Sequence, residues 1–205
     1  MSGSDFSATG RSRIIEAREV DSMIQRAAPL VEQLRRSSGK AEIVNGRIVP
    51  MSPAGYRHHR RANRIVRSLE EHERTHGGGA AFGDNLGFLV NLANRQSFSP
   101  DAGWITPAPA DDHDDFIEGP PTFAVEVRSK RDYGAAADVA VLAKVADYFA
   151  AGTLVVWDVD LLEHEVIRCY RSSKPEEPDV FERGMWADAE PAVVGWRFEV
   201  EELFR

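Results

Sequence analysis

The 205-residue chain holds one cysteine, Cys169, so it can form no internal disulfide and has no cysteine-based zinc spacing. No apolar run approaches the roughly 20 residues that a membrane-crossing helix needs. The opening "MSGSDFSATGRSR" has small polar and charged residues where a secretory leader carries an apolar core. There is no G-x-S-x-G elbow, and Cys169 has no obvious histidine partner in sequence, so hydrolysis by a metal-free nucleophile lacks its usual parts. Internal repeats and low-complexity tracts are missing too. Positive charge is also in deficit: the formal net charge is −8, which weakens a nucleic-acid reading without excluding it, because net charge averages over patches. These absences leave a globular, cytoplasmic chain with no membrane partner as the expectation. A 42% hydrophobic share is enough to build an ordinary core.

What is present divides into one domain over residues 21–205 behind a segment, 1–20, whose Ser-, Gly- and Arg-rich composition reads as disordered. Residues 21–40 read as a helix capped at Asp21 or Ser22, with Ile24, Ala28, Val31 and Leu34 as its apolar stripe and Gly39 as its stop. In "AEIVNGRIVPM" (41–51) two β-prone runs flank Asn45-Gly46, which predicts a hairpin. A second helix lies within 52–79 and ends at three glycines. Ala62, Ile65, Val66 and Leu69 gather on one side of it, with His58 falling in the same stripe. Arg57, Arg60, Arg61, Arg64 and Arg67 gather on the other.

"AAFGDNLGFLVN" and "QSFSPDAGWIT" read as two strands, and 107–121 as a loop carrying Asp111, Asp112, Asp114, Asp115 and Glu118. Then come "FAVEV", a helix over about 137–151 stopped by Gly152, and "TLVVWDVD" (153–160). A helix between two strands is what a parallel pair with a crossover requires. "EVIRCYR" and the stretch from "MWADAE" to "FEVEELF" add one or two strands. The expected class is α/β (α+β), a mixed central β-sheet flanked by helices, with an N-terminal helix and hairpin.

Four features could carry chemistry. In "PPTFAVEVRSK" strand alternation puts Phe123, Val125 and Val127 on one face and Ala124, Glu126 and Arg128 on the other. Asp101 follows Pro100 in "SPD", Lys144 lies on the crossover helix, and His58 on the helix before. Two carboxylates at adjacent strand ends can share Mg²⁺ or Mn²⁺, which prefer oxygen donors. Such an ion polarises a phosphoryl oxygen and activates water, and a nearby lysine stabilises developing charge. Each residue also has a plain structural reading. Glu126 and Arg128 make an ion pair on a half-exposed strand, Asp101 starts a turn, Lys144 snorkels at a stripe edge and His58 is a core histidine. The arginine face is either a solvated helix face or a track for phosphates, since no acid interrupts it from 57 to 67. On the residues alone both readings stand.

Order and spacing add to this. The succession "AEIVNGRIVPMSPAGYRH", "FSPDAGWIT", "GPPTFAVEVRS", "KVADYFAAG" and "LVVWDVD" resembles the Uma-type restriction endonucleases, a branch of the PD-(D/E)XK phosphodiesterase superfamily. The matching positions are Glu42 with Asn45-Gly46, Ser52-Pro53 with His58, Pro100-Asp101, Glu126-Val127-Arg128-Ser129, Lys144 with Tyr148 and Gly152, and Asp158. The resemblance implies a restriction-endonuclease-like core and a Mg²⁺- or Mn²⁺-dependent endodeoxyribonuclease. It implies Asp101 and Glu126 as metal ligands and Lys144, His58 and Glu42 as further catalytic residues, with DNA as partner and a homodimer as the working form. Arg128 stands where the superfamily's usual motif has its lysine; an arginine holds its proton too firmly to act as a base, so the amine is expected from Lys144. Arg57, Arg60, Arg61, Arg64 and Arg128 are the expected phosphate contacts. The alternative is a catalytically inactive protein of the same fold that binds DNA or assembles with a protein.

Overall fold

The computed structural model describes residues 29–110 and 114–205. The first helix (α1) is described over residues 29–35; its expected caps at Asp21 or Ser22, the segment 1–20, and Asp111 and Asp112 lie outside the described residues. The hairpin forms where Asn45-Gly46 predicts it. Strands β1 (Ala41–Val44) and β2 (Arg47–Pro50) pair antiparallel, and the two turn residues take φ of 51° and 68°. A two-residue turn matched to strand twist needs positive φ at both positions, which Asn and Gly tolerate best. Helix α2 (Tyr56–His76) stops at Gly77 and buries Ala62, Ile65, Val66 and Leu69, the stripe read from the sequence.

Between residues 80 and 105 the two expected strands are four: β3 (Ala80–Gly83), β4 (Phe88–Leu89), β5 (Ser97–Phe98) and β6 (Ala102–Ile105). The chain turns at Asp84-Asn85, where Asn85 has φ of 75°, and Ser99-Pro100-Asp101 separates β5 from β6. A two-residue strand, β7 (Ile117–Glu118), interrupts the expected loop and pairs with β4. Then β8 (Phe123–Val127), α3 (Ala135–Ala151) and β9 (Val155–Asp160) make the predicted strand, helix and strand, with β8 and β9 parallel. Beyond them lie β10 (Val166–Arg171), β11 (Lys174–Phe181), β12 (Trp186–Asp188) and β13 (Arg197–Glu199), four strands where one or two were expected. β11 escapes a reading by strand propensity because its sequence, "KPEEPDVF", carries Pro175 and Pro178. It lies at the sheet edge, the place where a strand can do without ladder donors.

The six-stranded sheet runs β11-β10-β9-β8-β6-β3, and within it β8–β9 is parallel while the other pairs are antiparallel. Its two faces are covered differently. Phe123, Val125, Val127, Trp157 and Val159 share one apolar cluster with α2 and with Trp196, Phe198 and Leu203 of the closing segment. Ala124 and Val156 face the other way, into a cluster with Val145 and Tyr148 of α3 and with Phe88 and Phe98. Close strand packing at the site depends on Gly103, where a Cβ would lie 2.2 Å from the Phe123 carbonyl oxygen and 2.5 Å from the Phe82 ring. Among the described residues no helix is long and apolar enough to cross a membrane.

Candidate active site

Strand register brings the acids together. β6 runs antiparallel to β8 with Ala102 opposite Val125, so Asp101, just before β6, falls beside the carboxyl end of β8. Its backbone N–H donates to the Val125 carbonyl at 3.0 Å, and its Oδ2 accepts the N–H of Val127 at 2.8 Å. Asp101 is therefore tied to both neighbours of Glu126. From α2, the His58 Nε2 reaches the same Oδ2 at 3.1 Å. The apolar stripe of α2 places His58 against the sheet, and the sheet there ends in a carboxylate.

Glu126 is met from the opposite face. Lys144 and Tyr148 are four residues apart on α3 and so lie one turn above the other. The Lys144 ammonium and the Tyr148 hydroxyl both reach Glu126 Oε1, at 2.9 and 2.6 Å. Tyr148 is fixed by stacking on Phe98, with ring centroids 4.0 Å apart. Among the described residues no hydrogen bond goes to Glu126 Oε2, and the side chain is 21% exposed. Lys144 bridges to Glu42 Oε1, also at 2.9 Å. Glu42 in turn accepts the Ser99 N–H at 3.0 Å and the Arg95 guanidinium at 2.6 Å, while Arg95 pairs with Asp147 at 2.8 Å.

The charge states follow from this crowding. Burial alone would raise the Asp101 carboxyl, but the His58 hydrogen bond and the Lys40 charge outweigh it and hold Asp101 well below the ordinary carboxylate range. Glu126 goes the other way: burial, with the charges of Asp101 and Glu42, raises it against the pull of Lys144. Glu42 is lowered, its burial outweighed by Lys144 and Arg95. Lys144 is buried, which disfavours its charge, yet Glu126 and Glu42 raise it above the usual lysine value. It is an ammonium at neutral pH and can donate and neutralise, but it is no base.

Asp101, Glu126, Lys144, His58 and Glu42 thus gather at one end of β8. Arg128 does not join them. Its guanidinium grips both oxygens of Asp158, at 2.7 and 2.8 Å, and Asp138 at 2.6 Å. A buried guanidinium takes the acids it can reach, and Arg128 has its donors on these carboxylates. Of the α2 arginines, Arg61 donates to the Arg205 carbonyl and Arg64 to that of Glu202, so both help to hold the C-terminal segment; Arg57, Arg60 and Arg67 are exposed.

Lys40 and Asp84 were not singled out from the sequence. Lys40 Nζ lies 2.6 Å from Asp101 Oδ1 and 2.7 Å from Asp84 Oδ1. A signal was present: Lys40 stands two residues before Glu42, and strand alternation gives both the same face.

The Uma2 family, described as "Putative restriction endonuclease", matches residues 28–201. No curated protein matches the chain. Four chains of solved structures do; one is the crystal structure of "a putative nuclease belonging to DUF820 from Anabaena variabilis", 16% identical, with a TM-score of 0.68 over 85% of this chain and 96% of that one. That likeness shows the fold.

Proposed function

The chain belongs to the Uma2 family, and on that premise we propose that it is a Mg²⁺- or Mn²⁺-dependent endonuclease that hydrolyses phosphodiester bonds in DNA. The observation that carries the reading is the placement of Asp101 and Glu126 at one strand end, with an oxygen of Glu126 left open and an ammonium on its other oxygen. The donor set fits the ion: both side chains offer hard oxygens. Among the described residues no group of three or more His, Cys, Asp or Glu side chains is placed to hold a metal unaided. Two carboxylates with retained waters is the arrangement magnesium favours. When bound, the ion polarises a phosphoryl oxygen and makes water a stronger nucleophile.

The chain's own residues then have separable tasks. Lys144, kept protonated by Glu126 and Glu42, donates to phosphate oxygens and offsets charge as it develops on them. Tyr148 and Phe98 fix the rotamer of Glu126, and His58 holds Asp101 in place. Glu42 sets the position of Lys144. Arg57 and Arg60 supply exposed positive charge on the helix that delivers His58. The reading extends to one nuclease-like domain over 21–205 that works in the cytoplasm as a homodimer, since cutting both strands of a duplex asks for two sites.

Incubating supercoiled DNA with the protein and Mg²⁺ or Mn²⁺ tests it. Nicking should require the ion and fall on the order of a hundredfold or more in each of Asp101→Asn, Glu126→Gln and Lys144→Met, with circular dichroism unchanged. Undiminished nicking by all three variants would remove the mechanism. A second reading, an inactive fold that binds DNA or a protein, draws on one observation: both oxygens of Asp101 are already engaged, by Lys40, His58 and Val127. It predicts no heat on titration with Mn²⁺; a heat that vanishes in Asp101→Asn excludes it.

A further inference from the structure

Asp101 has one fixed oxygen and one shared one. Oδ2 is held by the Val127 N–H and by His58, and the first of these is fixed in the backbone of β8. Among the described residues Oδ1 meets a single partner, the Lys40 ammonium, at 2.6 Å. That ammonium is also 2.7 Å from Asp84 Oδ1, and the charge of Glu126 acts on it as well. The cation facing these acids is thus the chain's own. Its surroundings are graded: the side chain of Asp101 is 7% exposed, that of Lys40 14% and that of Asp84 35%, so the way from Asp101 through Lys40 to Asp84 leads towards solvent.

Resting on the metal-dependent reading above, we propose that Lys40 is an internal counter-cation of the metal site. Its ammonium holds Asp101 Oδ1 until a divalent ion takes that oxygen, and Asp84 retains the displaced amine. The physics is a competition between cations. Asp101 and Glu126 bear on one another's charge, and an ammonium beside them offsets the repulsion and keeps Asp101 in a ready rotamer. A divalent ion on Oδ1 and an ammonium on the same atom repel strongly in so buried a place. One must leave. Lysine suits the task because its charge rides on a flexible four-carbon stem. Asp84 is already bonded to it, so the amine can move outward without losing every partner. Arg95 and Lys144 stand differently: the first is clamped between Glu42 and Asp147 and bonds neither site acid, and the second sits on Glu126 Oε1, so an ion can reach Oε2 without displacing it.

Calorimetric titration of the full chain with Mn²⁺ reads the competition directly, without relying on cleavage. Four proteins are compared: wild type, Lys40→Met, Asp84→Asn and the double variant, each checked for fold by circular dichroism. Lys40→Met should bind Mn²⁺ about tenfold more tightly than wild type, since the ion no longer displaces a charge. Asp84→Asn should bind more weakly than wild type, and should lose most of that effect once Lys40 is also replaced. Lys40→Gln, which keeps an amide donor for Asp101, serves if the methionine variant does not fold, and carries the same expected tightening. Equal or weaker Mn²⁺ binding in the folded Lys40 variants overturns the role of Lys40 while leaving the metal reading intact. Equal weakening by Asp84→Asn in both backgrounds overturns it too, because Asp84 would then be a ligand and not a receiver. No binding by any of the proteins removes both.

Discussion

Glu126 and Asp158 are register partners on the parallel strands β8 and β9, so they stand side by side on the face that α3 covers. One backbone setting gives two different carboxylates. Both oxygens of Asp158 accept the fork of Arg128, Arg168 stands 3.4 Å from one of them, and 1% of the side chain is exposed. Glu126 has an amine and a hydroxyl on a single oxygen, other acids close by, and a raised carboxyl. The difference lies in the cation supplied. An arginine just past the neighbouring strand matches a carboxylate edge to edge and uses up its acceptors; a lysine from a helix touches one atom and leaves the other free. An ion pair that builds the fold closes on itself, while one that builds a site stays open.

Substitutions can break this contrast. The largest effect on stability is expected at the closed pair: Asp158→Asn removes the charge and one of the two oxygens that meet the buried guanidinium of Arg128 and should cost about 3 to 5 kcal/mol by urea unfolding. Glu126→Gln, one strand away, should keep or raise the urea midpoint, because it removes a charge that burial and the acids Asp101 and Glu42 disfavour more than Lys144 favours it. Equal losses at the two positions would erase the distinction.

Asp160 sharpens it by pH. Burial alone would raise this carboxyl, but hydrogen bonds from His164 and from the N–H groups of Glu163 and Leu162 outweigh it and hold it below the ordinary value. A depressed carboxyl contributes stability that is present above its unfolded pKa of about 4 and lost as pH falls through the folded one. Wild type should exceed Asp160→Asn in urea midpoint at neutral pH, and the gap should close as pH is lowered below about 4. A gap unchanged down to pH 2 would show that its hydrogen bonds, and not its charge, carry the effect. Smallest is Tyr148→Phe, which keeps the stack on Phe98 and removes one hydrogen bond to Glu126; a loss of about 1 kcal/mol is expected, and a much larger one would mean that the hydroxyl also fixes α3.

Much of this was legible in the sequence wherever periodicity or turn chemistry dominates. Asn45-Gly46 marked the hairpin, the three glycines marked the end of α2, and the alternation in "FAVEV" correctly put Glu126 opposite Phe123, Val125 and Val127. Sequence order also carried the family to which the chain belongs. Illegible were features decided across the sheet. Whether Arg128 pairs with its neighbour two residues back or with Asp158 thirty residues on depends on which strand lies alongside β8. Lys40 meets both Asp84 and Asp101 because β3 runs beside β6 with Gly83 opposite Ala102. Alternation gives Lys40 the face of Glu42, but no local pattern names Asp101 or Asp84 as its partner.

The outermost strand, β11, has a consequence for growth of the sheet. Pro175 and Pro178 offer no N–H to an incoming chain, and exposed charged side chains (Lys174, Glu176, Glu177 and Asp179) crowd the same margin. Lateral recruitment of strands is thereby discouraged on that flank, and the sheet keeps its width at six.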